Sequence, residues 1–483
     1  MKYNVATSHP LSTMAGLEAL EKGGNAYDAM LAASSALVAV QPQFNGLGGD
    51  LFATIKDGRY YCINASGFAP AAADIDFYSG QGYKEIPKHG PLSSFSIPGL
   101  VSSWKIAAEK STMGIDKNFK RAIQFALEGF EPSRKLARAI KNFNDGDNDF
   151  NEIYKDTDTW LKQEDLGNTL ETLVKEGLDS FYNGTVADKI DSDMREKGGL
   201  IRKSDLAEYK AEILSPIRIK YREYDVYTNP PVSQGLTASV WLRDLNGYDL
   251  SGMEHQEYYD TLIKTMRDAY NIRRQYIYDG VKLPENIEDL KPDKSSPGNG
   301  NSNISDTTAF SIFDGSIEIS AIQSNYMGFG SGHNISRTGI NMNNRGSYFS
   351  LDSENRNHLE PGKKTFHTLM SVLASGKKDI ILGSMGGDVQ PQINVQILSR
   401  LIDLGYSIPD AIAYPRFAYP ASIYGDSKVY YESTLRLNHY EPVDDLNDMM
   451  GHAQGITIDS ESEAGFDPRG DGLLRYLREK YFK

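Results

Sequence analysis

"NISDTTAFSIFDG", Asn303 to Gly315, sets two opposite characters side by side. The run ahead of it, "KPDKSSPGNG" from Lys291, is rich in Pro, Gly, Ser, Asn and Asp and reads as a surface segment without regular structure. From Thr307 onward the residues alternate as a strand does, and Asp314-Gly315 offers the backbone freedom of a hairpin turn. The returning arm puts Ile317, Ile319, Ala321 and Gln323 on one face, which leaves Gln323 as a polar residue on an otherwise apolar side. Threonine is common at strand starts for steric reasons alone. A threonine between a loose segment and a rigid one has a further capacity. If the bond before Thr307 is broken, a new α-amino group with a pKa of about 7.7 to 8 lies beside the hydroxyl and can serve as its base. One residue then supplies nucleophile and base, and Thr307 is the candidate.

Around this point the chain is ordinary in composition. Its 483 residues are 40% hydrophobic, 11% aromatic and 24% charged, enough core for two domains or one large layered domain. A net charge of −14 with no basic run argues against nucleic acid or anionic membrane surfaces as partners. The single cysteine, Cys62, rules out an intrachain disulfide and cannot build a structural zinc site. The start has no apolar stretch behind a basic one, so a cytoplasmic protein is expected. The longest apolar run, Ala29 to Val40, is well short of the roughly 20 residues that span a bilayer and reads as a buried helix.

Ser12 is the expected cap of a first helix, Gly23 and Gly24 its stop, and Asn25 the cap of a second. Asp57-Gly58 joins two strands; the stretch from about Val101 to Arg195 is helix-rich; "SPIRIKYREYDVYTNPP" is a second strand region followed by two amphipathic helices. Long helices mixed with antiparallel strand signals fit a layered α+β fold better than alternating βαβ units.

Familiar hydrolase patterns are missing: there is no G-x-S-x-G and no H-E-x-x-H, and eight scattered histidines show no ligand spacing. "GFGSGH", Gly328 to His333, has the wrong glycine spacing for a dinucleotide and reads as a tight turn. An ordered series of longer strings does carry a resemblance: "HPLSTMAGLEALEKGGNAYDAMLAASSALVAVQP", "NGLGGDLF", "SIPGLV", "NPPVSQG", "MRDAYNIRRQYIYD", "TTAFSIFD", "GINMNNRGSYF", "LGSMGG" and "FDPRGDG". Together they resemble the γ-glutamyltransferase family of N-terminal-nucleophile hydrolases over nearly the whole chain. The resemblance implies a four-layer αββα sandwich made as a precursor. Cleavage before Thr307 would give a large fragment, 1–306, and a small one, 307–483, that stay associated as one domain. It further implies attack of Thr307 on an amide carbonyl, with Gly386 and Gly387 as oxyanion donors and no metal or organic cofactor.

Departures from the family refine the expectation. The arginine that transferases use for the glutamate α-carboxylate is replaced in "NASGFAP", where Ser66 or Phe68 stands, and Tyr348 takes the place of the usual carboxylate. The adjacent serines become His367 and Thr368, Ala309 replaces a histidine, and Asn325 keeps its type. "NNRGSYFSLD" with "FHTL" is similar to the glutaryl- and cephalosporin-acylase-like branch, in which Arg345 would supply the charge for a carboxylate-bearing acyl group. The short stretch between Phe349 and Pro361 implies a more open, hydrolytic pocket. Asn325, Arg345, His367, Thr368 and Gln323 are the expected substrate-binding residues. The expected ligand is a small-molecule γ-glutamyl or glutaryl amide, with a homo-oligomer of the processed unit possible.

Overall fold

Two antiparallel six-stranded sheets face each other. Edge to edge, the first runs Asn4–Thr7, Thr308–Phe313, Glu318–Ser324, Asp50–Asp57, Arg59–Ala65 and Glu212–Leu214. The second runs Ser462–Phe466, His452–Ile458, Asp379–Met385, Ser371–Ser375, Tyr224–Thr228 and Ile217–Tyr221. Helices Pro10–Glu21 and Ala26–Val40 cover the outside of the first sheet; Gly235–Leu245, His255–Tyr276 and Gln390–Ile402 cover the second. The result is a four-layer αββα sandwich of the α+β class. These features come from a computed structural model that describes residues 3–155, 160–284, 286–291, 307–420 and 428–471. The turn-rich run at 292–306 lies outside the described residues.

Strand alternation builds two kinds of interface. Phe310, Ile312, Ile319 and Ala321 face outward and join Leu31 and Val38 of the covering helices in one core. Their neighbours face the second sheet and are small: Ser311 Oγ donates to Ile381 O at 3.4 Å, Ser320 Oγ to Leu382 O at 2.8 Å, and the Thr54 and Ser371 hydroxyls meet at 2.8 Å. A Cβ on Gly383 would lie 3.0 Å from the Ala309 methyl, so the sheets approach closely only because these positions are small or hydrogen-bonded.

The helix starts follow local chemistry, with one correction. The first helix begins at Pro10, not after Ser12. Its cap is His9, whose Nδ1 accepts from Leu11 N at 3.3 Å. Proline at the first position has its φ already set and no N–H to satisfy, so it moves the start forward. Ser12 Oγ instead donates to Ala33 O at 2.9 Å and ties the two helices together. Gly23, at φ 88°, ends the first helix, and Asn25 with Asp28 forms a capping box on the second. Every residue of Ala26–Val40 is buried. Cys62 is buried, and burial pushes its thiol up to about 12. Among the described residues no helix is long and apolar enough to cross a membrane.

Candidate active site

Thr307 stands immediately before the Thr308–Phe313 strand, fully buried, with its hydroxyl 3.3 Å from Ser324 Oγ. Alternation turns it toward the second sheet, the side on which Ala309 and Ser311 lie. Ser311 is level with Ile381 and Ala309 with Gly383, so the facing strands run in opposite directions. Beyond Gly383 the facing strand runs on to Met385, where the chain leaves it and turns at Gly386 and Gly387. These glycines have φ of 149° and 55°, conformations that side chains disfavour. The turn is held from behind: Arg273 forks onto Asp388 at 2.9 and 3.2 Å, Tyr270 OH donates to Asp388 O, and Gln234 Nε2 donates to Gly387 O at 2.8 Å.

Arg345, His367 and Thr368 come together in a second group, and they do so around a residue the sequence reading passed over, Asp50. Arg345 Nε donates to Asp50 Oδ2 at 3.3 Å, and Nη1 lies 3.4 Å from Thr368 Oγ1. The guanidinium lies over Tyr326 and Tyr348, 4.6 and 5.7 Å from their ring centres, and Nη2 is buried with no hydrogen-bond partner among the described residues. His367 Nδ1 accepts from Leu369 N at 3.3 Å, which puts the proton on Nε2, 3.0 Å from Asp50 Oδ2. Burial, then the adjacent Arg345, holds this imidazole down at about 4, so near neutral pH it is an uncharged donor and not a base. Arg345, expected to supply the charge for a carboxylate-bearing acyl group, also pairs with Asp50, a carboxylate nearly three hundred residues away in sequence.

Asn325 lies between the two groups. Its Nδ2 donates to Asn341 O at 3.1 Å, while Oδ1 is buried without a hydrogen-bond partner among the described residues and packs against the Gly46–Gly49 bend, where a Cβ on Gly49 would come within 2.4 Å. Gln323 is not brought to this place. It faces the Ala26–Val40 helix, with Nε2 donating to Ser34 O and Asn45 Oδ1 at 3.2 and 2.6 Å and Oε1 accepting from Ser34 Oγ. Adjacent strand residues point to opposite faces, so the residue beside Thr307 is the neighbour, Ser324.

The open pocket expected from the short stretch before Pro361 is not what the uncut chain has. That stretch folds on itself, with Leu359 N donating to Ser350 O at 2.9 Å, and Thr307, Asn325, Arg345, His367 and Thr368 are all fully buried. The "GFGSGH" turn is a turn, and its His333 is bracketed by Asp147 and Asp193 at 3.1 and 3.0 Å, a tie to the helical region outside this site. Among the described residues no group of three or more His, Cys, Asp or Glu is arranged to hold a metal ion. Asp50, Ser324, Gln234, Arg273 and Tyr326 are the residues that sequence reasoning missed. Asp50 had one signal, a lone acid between a glycine bend and an apolar strand.

A hydroxyl at the head of a strand, a paired-glycine turn at the end of the facing strand and a buried arginine are the groups that attack on an amide, an oxyanion and an anionic tail call for. A family model described as Gamma-glutamyltranspeptidase matches residues 12–476, and the chain belongs to that family of hydrolytic and acyl-transferring enzymes. It is 31% identical to a glutathione hydrolase-like proenzyme of Bacillus subtilis (strain 168), with 98% of each chain covered. It is 29% identical to an oxamate amidohydrolase proenzyme of Klebsiella pneumoniae, with 96% of each covered. Among solved structures, the cephalosporin acylase of Bacillus halodurans superposes with a TM-score of 0.87 at 30% identity, covering 98% of this chain and 95% of that one. The acylase-like branch of the family is therefore the right neighbourhood.

Proposed function

We propose that the chain is an autoprocessing amidohydrolase in which cleavage before Thr307 frees the amine that activates the Thr307 hydroxyl. The amine takes the hydroxyl proton as Oγ1 attacks the amide carbon. The proton passes to the leaving nitrogen as the C–N bond breaks, and water then hydrolyses the acyl-threonine ester. The N–H groups of Gly386 and Gly387 would stabilise the tetrahedral oxyanion, a contribution of about 2.7 to 4 kcal/mol per donor in comparable sites. The observation that supports this reading is that Thr307 heads a strand whose inward residues Ala309 and Ser311 meet Gly383 and Ile381, on the strand that runs on to the paired-glycine turn.

The substrate is a small-molecule amide whose acyl part is γ-glutamyl or glutaryl-like, its far carboxylate meeting the unpartnered Nη2 of Arg345. Hydrolysis is favoured over transfer, in keeping with relatives named as a glutathione hydrolase-like proenzyme and an oxamate amidohydrolase proenzyme. A second reading, a glutathione hydrolase or transferase proper, draws support from Asp50: an acid beside Arg345 suits the ammonium and carboxylate of a γ-glutamyl group together. After cleavage, fragments 1–306 and 307–483 stay as one body because each sheet contains strands from both.

Mass spectrometry of the purified protein tests the reading. A fragment beginning at Thr307 is expected in the wild type and only the full chain in Thr307→Ala. Parallel assays with γ-glutamyl and glutaryl anilides, with and without a dipeptide acceptor, then separate the two readings. An intact wild-type chain that is fully active would sink both. A cleaved chain inactive on every anilide would point to a silent binding or assembly protein.

A further inference from the structure

His333 has more acid around it than one proton can serve. Its side chain is fully buried, with Nδ1 3.1 Å from Asp147 Oδ2 and Nε2 3.0 Å from Asp193 Oδ2. A neutral imidazole carries a single N–H, so one of its nitrogens would turn a lone pair toward a carboxylate oxygen; the doubly protonated ring alone can donate to both. Lys197 ends the Thr185–Lys197 helix that also carries Asp193, and it lies 3.3, 2.8 and 3.1 Å from Asp147, Asp149 and Asp193. Three carboxylates therefore face two cations while His333 is charged, and Lys197 alone once it is not. On the Gly332 side, Asp145 pairs with His89 at 3.7 Å.

What this clamp holds is the approach to Arg345. Asn334 N donates to Asp147 Oδ2 at 3.1 Å, Ser336 N to Asp193 Oδ1 at 3.0 Å and Ser336 Oγ to Asp149 Oδ2 at 2.8 Å. The hairpin of Asn334–Ile335 and Ile340–Asn341 is thus pinned to the helical region. Its far end serves the site: Asn341 O accepts from Asn325 Nδ2, Met342 N donates to His333 O at 3.0 Å, and Arg345 follows three residues later. We propose that His333 is a positioning residue whose second proton fixes this hairpin, and with it Asn325 and Arg345, in the arrangement that binds the acyl group. The inference rests on the amidohydrolase reading above. His333 touches no substrate; it acts through the hairpin.

Burial alone would lower this imidazole below its ordinary 6.5, but the bonds to Asp147 and Asp193 outweigh it and raise it. The clamp is then whole below pH 6.5 and is lost as pH rises through the higher folded value. Anilide kinetics on the cleaved protein from about pH 6 to about pH 9 test this. In the wild type KM is expected to rise roughly 3- to 10-fold toward the alkaline end. Two variants should flatten that rise in opposite ways. His333→Gln has no second proton to lose, so KM should be high throughout. Asp193→Asn can keep its oxygen on Ser336 N and donate its amide to a neutral His333 Nε2, so KM should stay low throughout. If His333→Gln does not fold, the wild-type profile and Asp193→Asn still decide. A wild-type KM that is flat across this range, or an alkaline rise kept in Asp193→Asn, would overturn the inference and leave the amidohydrolase reading standing. A wild type inactive on every anilide would remove that reading, and this inference with it, before any variant is made.

Discussion

Two buried arginines flank the candidate site, each lying over two aromatic rings and each beside one aspartate. Arg273 is a closed fork: both terminal nitrogens engage Asp388, one of them also Gln234, with Tyr270 and Phe366 at 4.5 and 5.4 Å. Arg345 is an open one: a single long bond to Asp50, a longer one to Thr368, and a third nitrogen without a partner. Burying a cation is costly unless its donors are met, so the first arrangement reads as scaffold and the second as the one with a donor to spare. The same residue type, in the same kind of surroundings, does two jobs according to how completely its protons are used.

The largest effect should come from breaking the closed fork. Arg273→Met leaves Asp388 buried and uncompensated and is expected to cost about 3 to 5 kcal/mol of stability, read by denaturant unfolding. A loss under about 1 kcal/mol would mean that the fork is no more structural than its open counterpart.

Next comes pH. His367 is held at about 4 in the folded chain against an ordinary value of 6.5, so between these values the unfolded chain binds more protons. Stability is then fully present above about pH 6.5 and is lost as pH falls toward 4, by up to about 3 kcal/mol from this group. Arg345→Met removes a cation that pushes His367 down, leaving Asp50 to draw a proton onto the imidazole. The slope through that window should flatten in the variant. An unchanged slope would show that the two groups are not coupled as their 3.3 and 3.0 Å contacts with Asp50 suggest.

The smallest effect is expected from Tyr326→Leu, which takes away the nearer ring beneath Arg345: about 1 kcal/mol in a melt, with a larger fractional rise in KM for a carboxylate-bearing anilide than loss of stability. Equal penalties in both would place Arg345 with Arg273, as scaffold.

Much of the fold was legible because its signals are local. Asn25 caps its helix, Gly58 turns its hairpin, and the strand after Thr307 alternates, each decided by neighbours within a few residues. Alternation shows that Gln323 and Ser324 point opposite ways. It does not say which way faces the second sheet, since both faces of this strand are buried, and Gln323, expected to bind substrate, lies with Ile319 and Ala321 on the helix side. Asp50 escaped notice for a different reason. Its meaning lies in Arg345 and His367, brought to it only by the stacking of layers, and no spacing along the chain encodes that meeting. Ser12 lost the cap to His9 because a proline two residues earlier had already set the first turn.

The first sheet has a consequence for how the molecule is made. Two of its strands, Thr308–Phe313 and Glu318–Ser324, lie between Asn4–Thr7 and Asp50–Asp57, which leave the ribosome about 300 and about 250 residues earlier. Until the last third of the chain emerges, those early strands have raw inner edges and no neighbour to fill the gap. Completion must wait until about residue 324 has emerged, and the nascent amino-terminal portion before that point is the stage at which these strand edges are open to edge-to-edge pairing.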